Sequence, residues 1–230
     1  MTRNFCFSRA FTLIEVIVVL AIIAILMSLV YPMYMNMSER AKATKEMSNL
    51  RQIGLATQTY VNDNDGMLFS PATPWSSQLE QNKKYLSVWR VLQSAFDKRP
   101  SSEGGSVSTP ISYGVNLNIY PLGAAMPVSK ITNPTGFILF APAQAQGATV
   151  SFQGLATSPN QGVTVTAVGG NTVTSSPGGN VTNGTYNSRR LINALFADLH
   201  CEAMSWTAFA STTQANLSEP NQWTPYLPYP

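Results

Sequence analysis

The chain has 230 residues, with 14 Lys+Arg, 11 Asp+Glu, one His and two Cys, and only 11% of it is charged, against about 25% in an ordinary soluble domain. A hydrophobic content of 44% supplies a core and argues against wholesale disorder, while a net charge of +3 without a basic cluster argues against a nucleic-acid partner held through its phosphates. Cys6, Cys201 and the single His200 are too few for a disulfide framework or a tetrahedral metal site.

Between Glu15 and Glu39 lie 23 residues without a charge, and from Val16 to Tyr31 only Ser28 is polar. As a helix, 23 residues extend about 35 Å, enough to cross a hydrocarbon core of about 30 Å. A buried core helix is the other reading, but a helix apolar all round needs a large protein to cover it. Arg3 and Arg9 precede the run with no acid among the first ten residues. That bias predicts a single pass with the N-terminus in the cytoplasm and the rest of the chain across the membrane. No small-residue cleavage site follows the run, whereas Ala10 precedes it, so cleavage is expected before the helix rather than after it. Cys6 reads as an incidental leader residue.

Glu15 stands at the start of the apolar segment, where an unpaired carboxylate in lipid costs several kcal/mol. One reading gives it a cationic partner, the α-ammonium of a chain beginning at Phe11 or that of a neighbouring copy. The other makes it a residue of the first helical turn, favoured by the helix dipole.

Ala10-Phe11-Thr12-Leu13-Ile14-Glu15-Val16, after a short basic leader and before a long apolar helix, resembles the processing site of type IV prepilins and type II secretion pseudopilins. The resemblance implies that a prepilin peptidase cuts between Ala10 and Phe11 and methylates the Phe11 amine. It also implies an inner-membrane assembly platform and a homo-oligomeric filament in which Glu15 pairs with the N-terminus of the adjacent subunit, with Thr12, Leu13, Ile14 and Pro32 in the assembly helix. The residue before the cut is usually Gly in that family and is Ala10 here. Loss of Arg3 and Arg9 would leave 12 basic and 11 acidic residues, a net charge of +1.

Beyond Pro32, Met37, Ala41, Thr44, Met47, Leu50, Gly54, Thr57 and Val61 step by three and four, with Ile53 and Tyr60 beside them. Glu39, Arg40, Lys42, Lys45, Glu46 and Arg51 fall mostly off this stripe. The pattern predicts one helix over 11–62, spanning the membrane over about 11–33, amphipathic afterwards, and kinked or locally melted at Pro32. A head over 63–230 follows it. Asn62-Asp63-Asn64-Asp65-Gly66 reads as the helix stop. Asp63 and Asp65 resemble half a calcium loop, but Ala72 stands where the liganding Glu belongs, so they are weak metal candidates only and no cofactor is expected.

Trp75 to Asp97 predicts a short amphipathic helix and an apolar segment, with Leu79, Tyr85, Leu86, Val88, Trp89, Val91 and Leu92 in the core; Lys98–Pro110 reads as a loop. Ile111–Tyr120, Gly136–Ala141, Thr149–Phe152, Val163–Val168 and Ala194–Glu202 read as strands. The fold class is α+β, a long N-terminal helix packed on an antiparallel sheet. The 58 residues from Ile131 to Ser188 carry no charge, and about 147–188 is read as an exposed low-complexity β excursion rather than a linker.

Leu50-Arg51-Gln52-Ile53-Gly54-Leu55-Ala56, the Asn62–Gly66 stretch, Ile111-Ser112-Tyr113-Gly114-Val115-Asn116, Ile131-Thr132-Asn133-Pro134 and Asn193-Ala194-Leu195-Phe196-Ala197-Asp198 are similar, in order, to a bacterial pilin-like subgroup ending in an H-x9-DG signature. Here Ser188 holds the His place and Leu199 the Gly place, and only Asp198 is kept. A catalytic site would have to use His200, placed with Asp198 on one face of a predicted strand and opposite Cys201, a small buried hydrophobe in this reading. No G-x-S-x-G elbow, phosphate loop or H-E-x-x-H accompanies them, so no enzymatic activity is expected. The expected protein is a filament subunit whose partners are prepilin peptidase, its own kind, the assembly platform and lipid. The alternative is a membrane-tethered module binding carbohydrate or protein through the excursion or the tail of Trp223, Tyr226 and Tyr229.

Overall fold

A computed structural model describes residues 12–80, 83–97, 111–120, 124–143 and 184–210, together with the backbone of 151–154, 163–166 and 172–174. The chain forms two compact units, Met1–Ala41 and Lys42–Pro230. Helix α1, Leu13–Asp63, supplies the first unit and enters the second.

In the first unit the helix runs unbroken through Pro32. The melting expected there is absent, although Pro32 has no N–H to give the carbonyl four residues back. Ser28, the one polar residue of the apolar run, donates its hydroxyl to the Ile25 carbonyl at 2.7 Å. The Ser28 hydroxyl therefore does not require water.

In the second unit α1 buries Glu46, Asn49, Leu50, Ile53, Gly54, Ala56, Thr57 and Tyr60. This stripe is rotated from the expected one. Glu46 was placed off it and is fully buried, Ala41 and Thr44 are exposed, and Met47 is only half-buried. The helix ends as its sequence predicts. Asp65 and Gly66 take φ of 52° and 77°, and the Gly66 N–H reaches back to the Val61 carbonyl at 2.9 Å, a left-handed C-terminal cap.

Helix α2, Trp75–Glu80, and a 3-10 turn at Trp89–Leu92 follow. Leu79, Leu86, Trp89 and Leu92 are core residues, Tyr85 and Val91 pack against the core, and Val88 is exposed, contrary to expectation. The strands are β1 (Tyr113–Asn116), β2 (Ile138–Pro142), β3 (Ser151–Gly154), β4 (Val163–Thr166), β5 (Thr172–Thr174), β6 (Leu191–Phe196) and β7 (Cys201–Ser205), in the order β5-β4-β3-β1-β2-β6-β7. The strands β1, β2, β6 and β7 form the expected antiparallel sheet. The excursion extends it through one parallel pair, β1 with β3, and two hairpins.

Two strands are shorter than their apolar runs. Asn116 donates to the Ile138 carbonyl and accepts the Asn118 N–H at 3.1 Å. This side-chain turn takes the chain off the sheet into a 3-10 turn at Leu117–Ile119 instead of a strand continuing to Tyr120. The span Ala194–Glu202 is a hairpin corner rather than a strand, broken by a turn at 197–199 that separates β6 from β7. The core is aromatic, with Trp75 and Phe140 at 4.8 Å, Tyr60 and Phe69 at 5.1 Å, and Phe69 and Phe140 at 6.0 Å between ring centroids. Strand β2 is buried throughout. The final short helix, α3, is Trp206–Ala210.

Candidate functional site

Thr12 and Glu15 open helix α1 as a capping box. The Glu15 carboxylate accepts the Thr12 N–H at 2.8 Å and the Thr12 hydroxyl at 2.7 Å, and the Thr12 oxygen accepts the Glu15 N–H at 3.4 Å. The sequence T-x-x-E gives this arrangement directly, since position N3 lies one turn above the cap. Glu15 is thus satisfied within its own chain by two donors and bears no cation among the described residues. Leu13 and Ile14 are exposed in the first turn, and every residue from Thr12 through Met37 is exposed. A surface this apolar with no cover among the described residues needs lipid or other protein, and the helix is long and apolar enough to cross a membrane. Ala10 and Phe11 lie outside the described residues.

The weak metal candidates have other work. Asp63 pairs with Lys84 at 2.8 Å, which holds its carboxyl below the usual range, and the Lys84 ammonium also sits over the Tyr85 ring. Asp65 adopts the left-handed turn. Among the described residues no three His, Cys, Asp or Glu side chains gather around a point.

Asp198 and His200 are brought together in the β6–β7 turn, not on a strand face. The Asp198 carboxylate accepts the His200 N–H at 3.1 Å and lies 2.5 Å from Nδ1, while the imidazole stacks on Phe196 at 4.2 Å. These contacts brace a tight corner. Among the described residues no hydroxyl or thiol is hydrogen-bonded to His200. A cavity of about 220 Å³ beside this turn is walled by Val61, Leu68, Ile131, Leu139 and Leu199, with Asp198 at its rim. Cys201 is half-buried rather than fully buried, and burial pushes its thiol up, so it is a poor thiolate.

The group that sequence reasoning missed is Glu46. It lies in the second unit, where Ser94, on the segment after Leu92, gives its hydroxyl to Oε1 at 2.5 Å. Oε2 accepts both the Asn193 amide at 3.0 Å and the Thr185 hydroxyl at 3.1 Å. Asn193 also donates to the Ala43 carbonyl and accepts from the Tyr186 hydroxyl. Asn49 bonds the Tyr113 hydroxyl nearby. Burial pushes the Glu46 carboxyl up to about 7, against the three hydrogen bonds that favour its ionised form. Its spacing was the available signal, because 46, 49, 50, 53, 56, 57 and 60 follow a helical face in which a carboxylate stands at one end.

The exposed apolar helix and its capped acidic first turn fit a membrane-anchored single-pass protein. Residues 7–31 match the prokaryotic N-terminal methylation motif, the signature of type IV pilins and pseudopilins. The match is confined to the leader and the apolar helix. No curated protein and no solved structure matches the chain.

Proposed function

We propose that the chain is a structural subunit of a type IV pilus-like or type II secretion pseudopilus filament. It enters the inner membrane as a precursor with residues 1–10 on the cytoplasmic side. Prepilin peptidase cuts between Ala10 and Phe11 and methylates the Phe11 amine. Subunits then join through an assembly platform by bundling their apolar helices. Within the bundle Glu15 exchanges its Thr12 cap for the Phe11 ammonium of a neighbour, which neutralises a carboxylate in a medium of low dielectric. The head, 63–230, projects outward.

The observation that carries this reading is the methylation motif standing on a helix whose apolar side chains, from Leu13 to Met37, have no cover among the described residues. Mass spectrometry of the native N-terminus tests it. An N-methylated Phe11 is expected; a chain that keeps Met1, or one cut after Tyr31, would contradict it. Filaments should also pellet and cross-link helix to helix, whereas a tethered binding module would stay monomeric in detergent.

A further inference from the structure

A fully buried carboxyl that meets three hydrogen-bond donors and no cation is a place where a proton decides the structure. The three contacts on Glu46 come from separate segments: Ser94 before β1, Asn193 on β6, and Thr185 on the stretch Gly184–Arg190 that leads into β6. The three donors favour the anion and burial without a cation favours the neutral acid. In the neutral form Oε2, with two donors on it, would be the carbonyl oxygen, and Oε1 would carry the proton with the Ser94 bond reversed. The Ser94 oxygen is already placed as an acceptor, since it takes the Phe96 N–H at 3.2 Å.

The stretch Gly184–Arg190 is held in a conformation that its residues resist. Asn187, Ser188 and Arg189 all have positive φ, of 51°, 54° and 63°, in the left-handed region that non-glycine residues occupy singly rather than in runs. Gly184 is pressed so closely on the Leu191 carbonyl that a Cβ there would collide with backbone. Contacts along its length hold it down, among them the Trp206 N–H on the Arg190 carbonyl at 2.7 Å and the Leu191 N–H on the Tyr186 carbonyl at 3.1 Å, and Asn187 and Arg189 have partners as well. Thr185 bonds Glu46, the Tyr186 hydroxyl bonds Asn193, Phe96 stacks on the Tyr186 ring, and backbone bonds run from Gly184 to Arg189 and from Thr185 to Leu191.

We propose that Glu46 is a proton-operated latch: the neutral acid fastens the strap Gly184–Arg190 to helix α1, and loss of the proton releases the strap. The titratable groups around it offer the anion no relief. Tyr113 from β1, Tyr186 from the strap and Asp97 from the segment before β1 are acids, and Asp97 accepts from Ser112 at 2.6 Å. Lys42 and Lys45 on the same helix are exposed, Arg190 is exposed and Arg189 half-buried. None of the four bears on the Glu46 carboxyl, whose environment consists of burial and its three hydrogen bonds. An open strap lets water reach the carboxylate, so opening takes up the ionised form and becomes easier as pH rises. The latch works within the head and is independent of whether the helices assemble.

Hydrogen exchange of the full chain in detergent micelles, corrected for the intrinsic pH dependence of exchange, tests the latch. The amides of Gly184, Thr185, Tyr186 and Leu191 should lose protection by on the order of a hundredfold between pH 5 and pH 7.5, since the opening constant rises up to tenfold per pH unit between the open and closed carboxyl values. In Glu46→Gln the amide oxygen can accept from Thr185 and Asn193 and the NH₂ can donate to Ser94, so protection there should not vary with pH. Strap protection in the wild type that is flat across this range, or a pH dependence that persists in Glu46→Gln, overturns the proposal. Should that variant fail to fold, the infrared band of a protonated carboxylic acid in the wild type at pH 6 decides instead: its presence, lost on raising the pH, supports the latch, and its absence refutes it.

Discussion

Helix α1 carries two glutamates whose surroundings are opposite. Glu15 is exposed, capped by Thr12, and set on an apolar surface without cover among the described residues. Glu46 is closed off from water and held by three donors from its own head. Each faces the cost of a carboxylate in a medium of low dielectric, and the two solutions differ. A capping box satisfies two of the lone pairs of Glu15 but leaves its charge, so lipid or a helix bundle would still demand a cation. Glu46 meets the same demand within the fold with three donors, and burial pushes its carboxyl up to about 7. In the proposed filament, one residue type on one helix would serve an intermolecular contact at one end and an internal lock at the other.

The largest effect that would break this contrast is at the membrane end. Glu15→Ala should insert normally and abolish or strongly slow filament formation while leaving head unfolding unchanged, as read by pelleting and by denaturant melts. Normal fibres from that variant would remove Glu15 from any intermolecular role. The reverse pattern is expected of Glu46→Gln, with filaments intact and the pH response of the head altered.

The next effect is the pH dependence itself. Folded Glu46 keeps its proton to about pH 7, against an ordinary value of 4.5, so between those values the native state binds more protons than the unfolded chain. Head stability should be greatest below pH 4.5 as far as this residue is concerned. It should fall by about 3 kcal/mol in all as pH rises to 7 and be flat beyond. Other carboxylates superimpose their own slopes, so the difference between wild type and Glu46→Gln is the quantity to measure. A difference curve without slope over that window would make Glu46 an ordinary polar contact.

Asn193→Ala comes third. It strips Glu46, the Ala43 carbonyl and the Tyr186 hydroxyl of a partner at once, in a place water does not reach. It should destabilise the head by about 2 kcal/mol in equilibrium unfolding. A loss under about 0.5 kcal/mol would mean that the network is slack.

The apolar helix was legible in the sequence because its signal is local: an uncharged run long enough to cross a membrane acts without a tertiary partner. The helix stop at Asp65-Gly66 was legible for the same reason. The Thr12 cap on Glu15 was not among the readings of that residue, although its T-x-x-E spacing lay in view. In the head, the strand segments were visible but their ends were not, since Asn116 and Asp198 end strands through side-chain bonds that hydropathy does not register. Glu46 reads as one of the charges mostly off the stripe, although its spacing from Asn49, Leu50 and Ile53 sets it on the buried face. Its three donors lie 48, 139 and 147 residues away, and no local pattern announces them.

The smallest predicted effect is at the turn where the head meets the inner face of α1. Leu199 takes φ of 71°, which costs a non-glycine residue about 1 kcal/mol, and it stands at the Gly place of the resembled H-x9-DG signature. Its side chain lies beside Gly54, where even a Cβ would come within 3.3 Å of it, and it walls the neighbouring cavity. Leu199→Gly relieves the backbone and uncovers a half-buried leucine worth about 1 to 2 kcal/mol. These opposing terms should leave the head within about 1 kcal/mol of wild type. Gly54→Ala, by contrast, keeps Leu199 strained and pushes it and Leu195 outward, for a loss of about 1 kcal/mol. If Leu199→Gly also makes Gly54→Ala harmless, the leucine stays in its left-handed turn because α1 offers it a glycine to pack on; if the two losses simply add, the contact is incidental and the strain has another cause.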